Sequence, residues 1–120
     1  MADAALFIGW GNAVRGRERQ ALKVFGDAID FYTGLQQAGE IESFEPVFLE
    51  PHGGDLVGFI LIRGDGDKLG SLRNREDFVR LNSRAGLIVD GFGVVGAAVA
   101  SGIQEQMGYF QAAIEEIVPQ

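Results

Sequence analysis

The spacing of apolar residues changes repeatedly along the chain, and each change marks an element. Residues 4–12 are apolar and β-forming until Gly9 and Gly11 interrupt them, which predicts a strand. Over 16–38 the period becomes helical. Leu22, Phe25, Ile29, Tyr32 and Gln36 form one stripe, and Ala21, Val24, Ala28, Phe31, Leu35 and Ala38 form its neighbour. Two adjacent stripes make an apolar face broader than a surface helix needs. Gly39 supplies a left-handed residue to end the helix. Residues 41–50 and 55–63 predict two strands joined by Pro51-His52-Gly53-Gly54, whose paired glycines suit the positive φ angles of a tight turn. Residues 64–66 read as a loop and 67–72 as one or two helical turns. Asn74 is placed to cap a further helix, with Asp77 three residues on. Leu69, Leu72, Phe78, Leu81 and Ala85 form the buried side here. Residues 87–96 predict a fourth strand, and Ile103, Met107, Phe110, Ile114 and Ile117 an amphipathic helix ending before Pro119.

The resulting order is β-α-β-β-α-β-α, without linker, low-complexity tract or tandem repeat, so residues 1–120 are expected to form one α+β domain. A β-α-β-β-α-β chain closes into a ferredoxin-like sandwich, with both long helices on one face of a four-stranded antiparallel sheet. This arrangement resembles the dimeric α/β-barrel superfamily, in which two ferredoxin-like protomers pack sheet against sheet. The resemblance spans nearly the whole chain but lies in element order and patterning, with no signature motif of a subfamily.

Both faces of the expected strands are apolar. In the third strand Leu56, Gly58, Ile60 and Ile62 oppose Val57, Phe59, Leu61 and Arg63. In the first, Leu6, Ile8 and Trp10 oppose Phe7 and Gly9, and in the second Phe44 and Phe48 oppose Val47 and Leu49. A sheet wetted on one side alternates apolar with polar; one buried on both does not. The helices cover one face, so either the last helix or a second subunit must cover the other. A two-fold homodimer through the open sheet face, with the last helix completing the interface, is the expected partner arrangement. A tight monomeric core is the competing explanation.

Composition narrows the chemistry. Ten Lys plus Arg against 17 Asp plus Glu give a net charge of −7, which argues against nucleic-acid binding. The absence of cysteine excludes disulfides, thiol nucleophiles and thiolate metal sites, and a single histidine excludes a multi-histidine centre within one chain. No metal and no cofactor is therefore expected. Met1-Ala2-Asp3 carries no positive cluster, and residues 85–100 fall short of the ~20 apolar residues of a bilayer span. A cytoplasmic location without membrane attachment is the expectation.

Candidate chemistry is sparse. The loop from Gly9 to Gly16 follows a strand and opens a helix, but Val14 stands where a dinucleotide fingerprint needs glycine, and no Lys-Ser/Thr follows. Arg15, Arg17 and Arg19 crowd the start of that helix and suit an anion, or else form a solvated helix end paired with acids such as Glu18. His52, between Glu50 and Asp55, is either a proton shuttle or part of an ordinary turn. As a haem ligand it would sit awkwardly on a glycine-rich hairpin. Asp65, Asp67 and Glu76 imitate a calcium loop, but Leu69 stands where a ligand oxygen belongs, and helix-end chemistry explains the same letters. Trp10, Phe44, Phe48, Phe59 and Phe92 would line a cavity between the sheet and a partner or the final helix. Arg63, Glu45 and Asp90 would orient a ligand there, with dense core packing as the alternative.

Two functions remain. One is a non-catalytic homodimer, an interaction or small-ligand-binding module. The other is a small cofactor-independent enzyme, monooxygenase- or isomerase-like, using His52, Asp90 or Glu45 on an apolar or aromatic molecule. The superfamily resembled includes cofactor-free oxygenation, isomerisation and haem breakdown, and the fold alone licenses none of them.

Overall fold

A computed structural model describes residues 2–117. Its elements are β1 (Ala4–Trp10), α1 (Glu18–Gln37), β2 (Ser43–Phe48), β3 (Gly58–Gly64), α2 (Gly66–Arg73), α3 (Glu76–Gly86), β4 (Gly93–Ala98) and α4 (Ser101–Ile117). The strands form one antiparallel sheet in the order β2-β3-β1-β4. With α1 and α3 on the same side, this is the ferredoxin-like α+β sandwich.

Register assigns the faces. Leu6 pairs with Ile62 and Ile8 with Ile60, and all four are 3% exposed or less beneath the helices. Val24, Tyr32 and Leu35 of α1 and Phe78 and Leu81 of α3 complete this core. The other parity carries Ala5, Phe7, Val47, Phe59, Leu61 and Val95. Phe7 and Phe59 stack there with ring centroids 4.9 Å apart, and Val95 is 58% exposed. Among the described residues Ala5 is buried there at 2% exposed, and Phe7, Val47, Phe59 and Leu61 are half-buried outside the core cluster. The second face, which also carries Glu45 and Arg63, is therefore only partly covered.

The last helix does not cover it. Helix α4 touches the body only at its start, where Gly102 lies so close to the Asp3 carbonyl that a Cβ would collide. Ala100, just before it, holds a left-handed φ of 50° that sets the helix's departure. From Ile103 onward every described residue of α4 is exposed. The protein is correspondingly elongated. Its radius of gyration is 16.7 Å, against about 13.6 Å for a compact chain of this length. Its accessible surface is 8008 Å², against roughly 6,300 Å² for a compact monomer of 12.9 kDa.

Several expectations shift in detail. The fourth strand was expected over 87–96 and runs Gly93–Ala98, because Gly91 at φ 62° turns the chain and Val89 is spent on an isolated bridge to Ala13. Asn74 does not cap α3; its amide reaches back to the Gly70 carbonyl, and the N-cap position of α3 is Arg75. The capping side chain is Asp65, which accepts from the Lys68 N–H and starts α2. Pro119, expected to follow the final helix, lies outside the described residues.

Candidate functional site

A cavity of about 430 Å³ lies on the covered side of the sheet, between β1, β3, α1 and α3. The local reason is missing volume: Gly11, Ala13, Ala21, Ala28 and Ala85 stand where larger side chains would close the gap between helices and strands. Trp10, Phe25 and Phe48 form an aromatic cluster on its wall, with ring centroids 5.2 to 6.2 Å apart. Gly58 permits this, since a Cβ there would come within 2.8 Å of the Trp10 ring. Leu22 and Phe48, 75% and 66% exposed, mark the mouth.

The polar groups of the wall are few. Glu18 is turned toward its own loop and accepts the Gly16 N–H at 3.0 Å. Asn82 contributes an amide from α3. Tyr32, 1% exposed, sits deep on the wall, and burial alone pushes its phenol well above the ordinary tyrosine range. A helical side chain leans toward its own N-terminus, which sends the Tyr32 ring back toward Ala28 and the cavity. Among the described residues no Lys, Arg or His belongs to the wall.

The site residues suggested by sequence are divided by this geometry. Trp10, Phe48 and Phe92 line the cavity. Phe44 shares their face of the sheet but packs on Tyr32 with centroids 5.9 Å apart, away from the opening. Phe59 and Arg63 belong to the second face, where Arg63 meets Glu45 at 3.5 Å. The cavity thus forms beneath the helices instead of between the sheet and the final helix, because α4 leaves the body. Glu45, His52 and Asp90 do not converge. The His52 ring closes its own loop, with Nε2 2.7 Å from the Leu56 carbonyl and Nδ1 accepting from Gly54 at 3.2 Å. Asp90 is engaged through its backbone, its carbonyl accepting from Gly11 and its N–H donating to Asn12.

Arg15, Arg17 and Arg19 form no ion pair among the described residues. Arg17 donates to the Leu87 carbonyl at 2.6 Å, tying the start of α1 to the loop after α3. Asp65 caps a helix, and Glu76 pairs with Arg80 on the next turn, so the letters of the calcium-like segment serve local structure. Phe25, Tyr32, Glu18 and Asn82 line the cavity without having been among the expected site residues. The doubled apolar stripe of α1 was the available signal for the first two.

Two solved structures share this architecture. One is a dimeric protein of unknown function and ferredoxin-like fold from Bacteroides fragilis, with a TM-score of 0.57 at 12% identity, covering 80% of this chain and 96% of that one. The other is SnoaB, a cofactor-independent oxygenase from Streptomyces nogalater, with a TM-score of 0.52 at 14% identity, covering 82% of this chain and 95% of that one. At such identities the likeness establishes the ferredoxin-like fold. No family model matches the chain, and no curated protein matches it. No helix among the described residues is long and apolar enough to cross a membrane.

Proposed function

We propose that this protein is a cytoplasmic homodimer that binds a small apolar or aromatic molecule without transforming it. The observation that carries the reading is the cavity of about 430 Å³ walled by Trp10, Phe25 and Phe48. Its size and apolar lining are those of small-molecule sites. The absence of a basic side chain from the wall favours a neutral ligand, with Tyr32 and Asn82 available for a hydrogen bond. The dimer is supported by the partly exposed second face and by the dimeric Bacteroides protein of similar fold.

Trp10 is the only tryptophan, so its emission reports on the cavity. Octanol is expected to shift that emission saturably, and octanol and 1-naphthol to raise the melting temperature. The Ala28→Phe variant, which fills the cavity from α1, is expected to lose both responses while staying folded. Failure of every apolar probe to saturate the parent protein would sink the binding reading.

A second reading, cofactor-independent oxygenation, draws support from the fold likeness to SnoaB and from the buried phenol of Tyr32. It draws none from Glu45, His52 or Asp90, which lie off the wall. An oxygen electrode separates the two. Binding alone predicts no uptake above the blank with 1-naphthol, whereas saturable uptake abolished by Tyr32→Phe would favour the enzyme.

A further inference from the structure

The uncommitted polar groups of the cavity wall gather at one end of it. Helix α1 runs along the chamber from Leu22 at the mouth to Tyr32, about 15 Å of helix axis. The cluster of Trp10, Phe25 and Phe48 flanks the mouth half. At the far end Tyr32 packs on Phe44, and the buried core that includes Leu35 and Ile62 closes the chamber. Glu18, near the mouth, is spent on the Gly16 N–H. Helix α3 runs antiparallel to α1, because Arg84 meets Asp27 at 3.0 Å while Arg75 pairs with Glu40. Asn82 precedes Arg84 by half a turn and so stands level with the turn of α1 between Ala28 and Tyr32. The Tyr32 side chain leans back toward that same turn.

Neither group is engaged by the protein. Among the described residues the Tyr32 hydroxyl and the Asn82 amide make no side-chain hydrogen bond. Yet no fully enclosed side-chain nitrogen or oxygen among these residues lacks a partner. The Tyr32 oxygen, on a residue only 1% exposed, therefore borders open space, and the space that Tyr32 lines is the cavity. Burial raises the phenol above its ordinary range, so at neutral pH it stays protonated and donates. The Asn82 amide nitrogen donates as well, and one carbonyl oxygen, with two lone pairs, can accept from both. A water at this end would find few partners in an otherwise apolar chamber, so an entering carbonyl displaces it at small cost.

From this arrangement we infer that the cavity selects a neutral molecule with an apolar body and a carbonyl group at one end, which enters carbonyl first and is held by the Tyr32 hydroxyl and the Asn82 amide. The body, an aryl ring or a chain of similar length, then lies among Trp10, Phe25 and Phe48. A carboxylate is disfavoured, because no basic side chain among the described residues lines the wall to pair with it. A few placed polar groups in an apolar chamber fix the orientation of a ligand in this way. The inference rests on the proposed ligand cavity and adds which end of the ligand is recognised and by which residues.

The test compares acetophenone with α-methylstyrene, which keeps the same shape but carries a methylene group in place of the carbonyl oxygen. Equilibrium dialysis measures both probes on the full-length parent, Tyr32→Phe and Asn82→Leu. Tyr32→Phe is expected to weaken acetophenone about fivefold or more and to change α-methylstyrene by less than about twofold. Asn82→Leu is expected to discriminate in the same direction, by about threefold. The infrared carbonyl stretch of bound acetophenone should lie at lower frequency on the parent than on either variant, a signature that altered packing alone does not produce. Equal losses of both probes in the variants, no loss of either, or an unmoved carbonyl stretch overturns the inference, while α-methylstyrene binding keeps the apolar cavity standing. Should Tyr32→Phe fail to fold, Asn82→Leu decides by the same two readouts. If neither probe binds the parent, the cavity reading falls and this inference with it.

Discussion

Ile60 and Phe59 are neighbours in β3 and differ in what meets them. Ile60 is 2% exposed beneath α1 and α3, locked into the core with Ile8 and Ile62. Phe59 points the other way, stacked on Phe7 and only half-buried. Both faces of the sheet carry large apolar side chains, yet one is finished within the protomer and the other is left partly exposed beside Glu45 and Arg63. Burial is worth about 25 cal/mol per Å², so several hundred Å² of such surface supplies on the order of 10 kcal/mol toward association before its costs. Residue type alone therefore does not tell a covered face from a partly exposed one; the route of the chain does.

Truncating the covered face should have the largest effect. Ile62→Ala removes a fully buried side chain and is expected to cost about 2–5 kcal/mol in urea unfolding, with the assembly mass unchanged for the fraction that folds. The adjacent residue tests the other face. Leu61→Asp is expected to weaken self-association by at least 100-fold, or about 3 kcal/mol, measured by sedimentation, with a smaller loss of protomer stability. If both changes unfolded the protein alike without altering its mass, the distinction between the faces would be false.

Smaller effects sharpen the contrast, because neither face should depend on them. His52→Ala removes two hydrogen bonds that close an exposed loop and is expected to cost about 1 kcal/mol, with octanol binding unchanged. Asp77 is held below the ordinary value of 3.8 chiefly by its hydrogen bond with Arg75, which also pairs with Glu40 at the far end of α1. A depressed carboxyl contributes stability above its unfolded value and loses it as the pH falls through the folded one. Asp77→Asn should therefore destabilise slightly at neutral pH, with the difference from the parent vanishing below pH 3.8 in thermal melts. This exposed pair should give the smallest change of the series.

The element order and the double apolarity of the strands were legible because period 2 and period 3.6 are written directly in residues such as Phe59-Ile60-Leu61-Ile62 and Leu22-Phe25-Ile29. Which parity the helices cover was not, since register and crossover hand decide it and both parities here carry large apolar residues. The fourth strand was displaced because Ile88 and Val89 are apolar enough for a strand but close the cavity end instead. The cavity itself depends on volume that is absent, at Ala21, Ala28 and Ala85 from two helices far apart in sequence. No local pattern marks such a gap. The polar candidates failed to converge for a related reason: Glu45, His52 and Asp90 sit on a sheet face and in two separate loops, and letters alone give no distance between them.

The central claim is that the second sheet face is completed by another copy. Sedimentation equilibrium at tens of micromolar measures this directly. A mass twice the 12.9 kDa of the chain is expected, falling toward the single-chain mass for Leu61→Asp. A parent protein that sediments as a single chain at that concentration, with its second face left in water, would contradict it.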